Sequence, residues 1–290
     1  MRFSRYLAVS LLLLSLPLRA EVLVLVHGYL GSAHSWQQAG VLDILMQRGH
    51  RYAGNFYFAA DGVRLIALDS RGERPLYTAE LPSLAPLNLQ ADWLSAYLRE
   101  IVARHPGQPV VLAGHSAGGV AARLALVRQP QPAVSQLITI ASPHFGTWRA
   151  AQALDATHHA GLFSPAKRWA VRRSLGSPVY QLLLQSRPVL RDLAPPRPGN
   201  LLFWLNQQPH PPIDYISIIR TGTAQNPGDP VVPPASQDLR RVPGIGRRAQ
   251  SYIIDQGHLL GPSDGHLLAN LLDMNEEQPA KQAASAATGD

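Results

Sequence analysis

The chain has 290 residues, 46% of them hydrophobic and only 16% charged, which supplies a large core and excludes general disorder. It contains no cysteine, so disulfides and thiolate metal sites are excluded. The formal net charge is +7, and three of the arginines behind it fall within the first twenty residues.

Those residues, MRFSRYLAVSLLLLSLPLRA, place Arg2 and Arg5 before an apolar run and a small residue, Ala20, after it. This three-part pattern predicts a secretory signal over residues 1–20, and hence a periplasmic or extracellular protein. The run is short for a bilayer span, and an uncleaved anchor is the alternative. Cleavage after Ala20 lowers the charge to +4. No later segment approaches transmembrane length.

The rest of the chain alternates strands with helices. VLVLV (22–26) is a continuous β-branched run that suits a strand buried on both faces. Residues 35–48 read as a helix ended by Gly49. Residues 51–68 hold one or two strands, RYAGNFYF and VRLIAL, with either one able to join the central sheet. Asn88 can cap a helix whose stripe is Leu94, Tyr97, Leu98, Ile101 and Val102, stopped by His105-Pro106-Gly107. PVVLA (109–113), QLITIA (136–141), DYISIIR (214–220) and SYIID (251–255) complete the strands. The pattern predicts an α/β fold: a mainly parallel, doubly wound sheet of about six strands, helices on both faces, and a helical cap insertion. One domain covers 21–275, the insertion about 146–212, and a disordered tail 276–290.

In PVVLAGHSAGG, Ser116 lies between the end of a strand and the start of a helix, with Gly114 and Gly118 two places to either side. G-x-S-x-G is weak evidence alone. The strand before it and the helix after it make it specific, because a serine on such a turn is exposed and needs small neighbours. A helix N-cap and a phosphate cradle are the competing readings, and the cradle lacks its lysine. A nucleophilic serine needs a base and an orienting acid, which in this arrangement follow in the order acid, then histidine. Asp229 lies in the Gly/Pro loop after DYISIIR, and His258 three residues past SYIID. Asp214, Asp238 and Asp255 fit less well. His266 competes with His258, although Pro262-Ser263-Asp264 looks like the start of a helix that would bury it or turn it away. The backbone N–H of Ala117 offers one oxyanion donor, and Tyr29, in the loop HGYLG after the first strand, the other.

HGYLGSAHSW, GHSAGG, ASPHFGT and GDPVVP together resemble the α/β-hydrolase superfamily, specifically its bacterial lipase-like serine esterases. The resemblance covers about residues 22–273. It implies hydrolysis of carboxylic esters through an acyl-enzyme on Ser116, with His258 as base, Asp229 as its acid, and Tyr29 and Ala117 as oxyanion donors. Two departures stand out: the antiparallel hairpin that opens larger members is missing, and so is a cysteine pair.

The insertion is richer in apolar residues than a surface loop requires, and it can form a lid or acyl-chain wall. Leu30, Phe145, Leu162, Phe163 and Leu182 are the candidates to line it. Residues 146–200 also carry eight Arg/Lys against two acids. That excess fits contact with an anionic membrane surface, or equally a solvated basic face. The reading is an exported hydrolase acting on a lipid or small ester, with no cofactor, no metal and no nucleic-acid partner. A thioesterase or acyltransferase with the same triad is the alternative, then a non-catalytic lipid-binding protein on this scaffold. The sequence leaves the oligomeric state open.

Overall fold

A computed structural model describes residues 21–68, 73–158, 173–223, 225 and 227–274. The signal (1–20), Leu162 and Phe163, and the tail from 276 lie outside the described residues.

The first half runs β1 (Val22–Val26), α1 (Ser35–Gln38), α2 (Val41–Gln47), β2 (His50–Ala59), β3 (Gly62–Ala67), β4 (Arg74–Ala79) and α3 (Leu87–Arg104). Then come β5 (Val110–His115), α4 (Ala117–Arg128) and β6 (Val134–Ile140). Between β6 and β7 (Asp214–Arg220) lie α5 (Trp148–Ala156), α6 (Ser177–Gln185), α7 (Arg187–Asp192) and α8 (Leu201–Gln207). The chain continues through α9 (Pro234–Gln237) and β8 (Ala249–Ile254) to a last helix, α10, over residues 262–274.

The sheet has eight strands rather than about six, in the order β3-β2-β4-β1-β5-β6-β7-β8. All neighbours are parallel except β2 and β3, which form an antiparallel pair at one edge. Both strands from residues 51–68 therefore enter the sheet. β4 is the strand that the sequence pattern missed. Its RPLYTA carries a proline, normally a sign against a central strand, yet it pairs with both β1 and β2. The helix expected over 35–48 is two pieces, because Gly40 takes a left-handed φ of 71° between them. The helix expected to be capped by Asn88 begins one residue earlier, at Leu87.

Alternation along β1 builds both layers of core. Val22, Val24 and Val26 pack with Leu94, Tyr97 and Leu98 of α3 and Val120 of α4. Leu23 and Leu25 face the other way, onto Trp36, Leu42 and Leu45 and onto Leu268 and Leu272 of α10. The helices lie on both faces because every second residue of the strand needs cover. β1 pairs with β4 on one side and β5 on the other, so the chain changes direction across the sheet between β1 and β5. Loops leaving the carboxyl ends of two such strands diverge and leave a crevice.

Among the described residues, no helix is long and apolar enough to cross a membrane. Burial also sets an acid limit on stability. It pushes His50 down to about 4, helped by the charge of Arg74, and His210 down to about 4, helped by Arg123. Both are uncharged in the folded protein at neutral pH, while in the unfolded chain they titrate near ~6.5. As pH falls below that value, only the unfolded chain takes up protons. Stability is therefore full above ~6.5 and declines until the folded value is reached. Each histidine should cost about 2 kcal/mol between pH 7 and pH 5. Urea midpoints at the two pH values measure this, and equal midpoints would refute it.

Candidate active site

Ser116 follows β5 directly and precedes α4. Its φ of 52° and ψ of −126° are strained for a residue with a side chain, and its N–H is fixed on Ile140 O at 2.8 Å. Two contacts explain the flanking glycines. A β-carbon on Gly114 would lie 2.5 Å from Gly119 Cα, and one on Gly118 would lie 2.6 Å from Val26 O, so α4 packs closely on β5 and β1.

Three side chains from three strand ends meet here. His258, after β8, has Nε2 3.0 Å from Ser116 Oγ and Nδ1 2.8 Å from Asp229 Oδ2. The carboxylate accepts the Nδ1–H, which leaves the Nε2 lone pair facing the serine hydroxyl. Asp229, in the loop after β7, is buried, which would raise its pKa. The hydrogen bond and charge of His258, with the N–H groups of Val232 and Val231 on Oδ1 at 3.0 and 2.8 Å, outweigh this and hold it below the usual carboxylate value. Asp229 is thus an anion at neutral pH and acts as an acceptor only.

The other candidates sit elsewhere. His266 is on α10 and exposed. Asp255 accepts from Thr221 Oγ1 at 2.5 Å, a turn contact, and Asp238 pairs with Arg240. Asp214 is at the far, amino end of β7.

The loop after β1 closes on the serine. A β-carbon on Gly28 would fall 2.8 Å from Ser116 Cβ, so Gly28 is where the two backbones meet. Tyr29 comes next on that loop, and Ala117, as the first residue of α4, has an N–H without an intrahelical acceptor. Two features here escaped the sequence reading. His27 is buried; its Nε2 accepts from Leu81 N–H at 3.0 Å, so its proton is on Nδ1, which donates to Gly28 O at 3.0 Å. Burial keeps it uncharged, with its pKa lowered against the pull of the Gly28 bond and Glu80. It therefore orients the peptide before Tyr29. The Tyr29 hydroxyl meanwhile donates to Ser186 Oγ at 2.8 Å, between α6 and α7, tying this loop to the insertion.

An open cleft of about 480 Å³ lies between the Tyr29 loop and the residues after His258. Leu30, Leu259, Leu260 and His115 are in its lining. Leu30 is 53% exposed and Leu259 77%. Phe145 is not in this lining; it packs on the core under the Arg241 guanidinium, 5.3 Å from the ring centre. Leu182 is half-buried on α6 and also outside it. No cluster of metal-ligating side chains is present among the described residues. The arrangement can withdraw a proton from Ser116 and store it on an imidazole beside a carboxylate.

The sequence matches the model of the alpha/beta hydrolase family over residues 23–277. No curated protein matches the chain. Among solved structures it is similar to the mature form of the Bacillus licheniformis lipase BlEst2, at 18% identity and a TM-score of 0.59 over 88% of this chain and 93% of that one. It is also similar to the lin2722 product of Listeria innocua, at 18% identity and 0.54 over 87% and 88%. A third similar structure is the metagenomic carboxyl esterase MGS0156, at 15% identity and 0.50 over 89% and 76%. At these identities the likeness to solved structures is one of fold, while the family model spans most of the chain: it belongs to the alpha/beta hydrolase family.

Proposed function

We propose that this protein is a serine hydrolase that cleaves carboxylic esters of apolar acyl chains through an acyl-enzyme on Ser116. The observation that carries the reading is the Ser116–His258–Asp229 chain, at 3.0 and 2.8 Å, assembled from the ends of β5, β8 and β7. In this reading Ser116 Oγ attacks the ester carbonyl carbon as His258 Nε2 takes its proton. The carbonyl oxygen becomes an anion against the N–H groups of Tyr29 and Ala117, each donor worth about 10²–10³ in rate. Collapse breaks the bond to the alcohol, which leaves with the proton from His258. Water then enters by the same route and attacks the acyl carbon as His258 takes its proton; the second collapse breaks the bond to Ser116 Oγ, His258 returns the proton to that oxygen, and the acid leaves. Asp229 stays ionised and stabilises the imidazolium. All proton and electron-pair movements close on these groups, and no metal or cofactor has a role.

The apolar substrate is supported by what surrounds the site. Leu30 and Leu259 flank the cleft, and Val231, two residues after Asp229, is exposed as well. Trp148, 61% exposed, opens α5 beside that loop, where Arg149 Nε donates to Pro230 O at 2.9 Å. The names of two similar structures, a lipase and a carboxyl esterase, agree with this. Exposed Arg191 and Arg197 in the basic insertion support attraction to anionic lipid. In this reading residues 1–20 direct export.

A panel of p-nitrophenyl esters with chains from acetate to palmitate tests the proposal. Each buried CH₂ contributes ~0.8 kcal/mol, so kcat/KM should rise about four-fold per methylene until the cleft is filled. Leu30→Ser with Leu259→Ser should flatten that rise and spare acetate. Best activity on acetate in the unmodified protein would replace the apolar-chain reading.

A further inference from the structure

The chain from Ser116 to Asp229 requires two loops in register, and one residue reaches both. Arg220 ends β7 at the point where the acid loop and the base loop separate, and it is fully buried. On one side its backbone N–H donates to Gln237 Oε1 at 2.8 Å. The Nε2 of the same buried amide donates to Asp229 Oδ2 at 3.1 Å and to Val232 O at 2.8 Å. A flipped amide would set oxygen against a carboxylate, so Arg220 N–H fixes the way Gln237 faces.

On the other side lies the base loop, residues 255–261. The Arg220 guanidinium donates through NH1 to Gln256 Oε1 at 2.8 Å and through NH2 to the buried Asp264 Oδ1. Asp264 Oδ2 accepts from Gly261 N–H at 2.9 Å, and Gln256 Nε2 reaches Leu259 O at 3.3 Å. His115, beside the serine, donates Nε2–H to the carbonyl of His258 itself at 2.9 Å. Burial, with the charge of His258 nearby, pushes His115 down to about 3, so it remains a neutral donor. The loop is thus held at residues 256, 258, 259 and 261, on both sides of the imidazole.

We propose that the Arg220 guanidinium is a positioning group that sets the base loop in register with the acid loop, through Gln256 and Asp264 for His258, while the backbone N–H of the same residue holds Gln237 on Asp229 whatever its side chain. A misplacement of about 1 Å at a reacting group can cost ~10²-fold in rate, which is the scale on which such a hub would act. A buried ion pair is seldom the most stable filling for its volume, so stability alone does not call for Arg220 and Asp264 here.

The proposal rests on Ser116 being the nucleophile, and the experiment separates the two. Wild type, Arg220→Met/Asp264→Leu and Gln256→Ala are compared by rate of fluorophosphonate labelling at Ser116, by kcat and KM on p-nitrophenyl butyrate, and by Tm. The neutral double variant should fold with a Tm near wild type. Its labelling rate and kcat should drop by at least about 30-fold with KM within about two-fold, a split that loss of packing alone would not produce. Gln256→Ala keeps the ion pair and should lose about five- to ten-fold in both rates. If the double variant does not fold, Gln256→Ala decides. Wild-type rates in either folded variant overturn the proposal. A wild type labelled at Ser116 but idle on every ester ends the ester reading while the labelling rates still test Arg220. A wild type that is not labelled ends both.

Discussion

Replacing Ser116 with alanine is expected to lower turnover by about 10⁶-fold. Ser116 Oγ is the hydroxyl 3.0 Å from His258 Nε2, and it stands on the strained turn before α4. Asp229 and His258 remain paired without it, so the fold should survive and the Tm should move little. A fluorophosphonate should label the wild-type protein at Ser116 and leave the variant untouched. Labelling that persists in Ser116→Ala would overturn the assignment, and so would residual turnover above ~1% of wild type.

His258→Ala should be almost as inactive, because the serine loses its proton acceptor. His266→Ala should keep most of its activity, since that residue is exposed on α10 and His258 already bridges serine and carboxylate. Asp229→Asn should fall by about 10⁴, as its amide would favour the wrong imidazole tautomer. Asp238→Asn should leave turnover near wild type and register in stability, because that carboxylate serves Arg240 and Ser251. Turnover numbers for the four variants on one soluble ester settle the order. A His266 variant less active than the His258 variant would move the base to α10.

How much of this could be read from the sequence depended on whether the signal was local. β1 is a continuous aliphatic run, and β5, β6 and β7 each carry a stretch rich in Val, Ile and Leu (VVLA, LITI, YISII) that is visible by itself. β4 is not, because Arg74, Pro75 and Thr78 interrupt its pattern, and only its place between β1 and β2 makes it a strand. Ser116, Asp229 and His258 could be singled out because each sits just past a recognisable strand end. His27 and His115 stood inside the quoted motifs, but nothing local indicated what their rings would bond. Arg220, Gln237 and Asp264 carry no local signature at all. They meet only because β7 and β8 are neighbours, and a buried polar residue among apolar ones looks in sequence like an exposed one. The segment between β6 and β7 stands out in sequence by its length and composition, while its helices depend on caps such as Asn200, which accepts from Phe203 N–H at 3.0 Å.

The place of β1 at the middle of the sheet also governs the order in which the molecule can be made. VLVLV begins at residue 22, but its partners begin at residues 74 and 110, with Leu23 opposite Leu76 on one side and Val111 on the other. During synthesis the most apolar strand therefore emerges first and waits for its second partner until β5 (Val110–His115) has been made. For that interval it is an unpaired edge of five aliphatic side chains, the kind of segment that joins other chains when nothing shields it. Nucleation cannot start from a local hairpin around it, because both of its pairings span long stretches of chain. The strand that anchors the crevice in the finished protein is thus an aggregation hazard while the protein is being made.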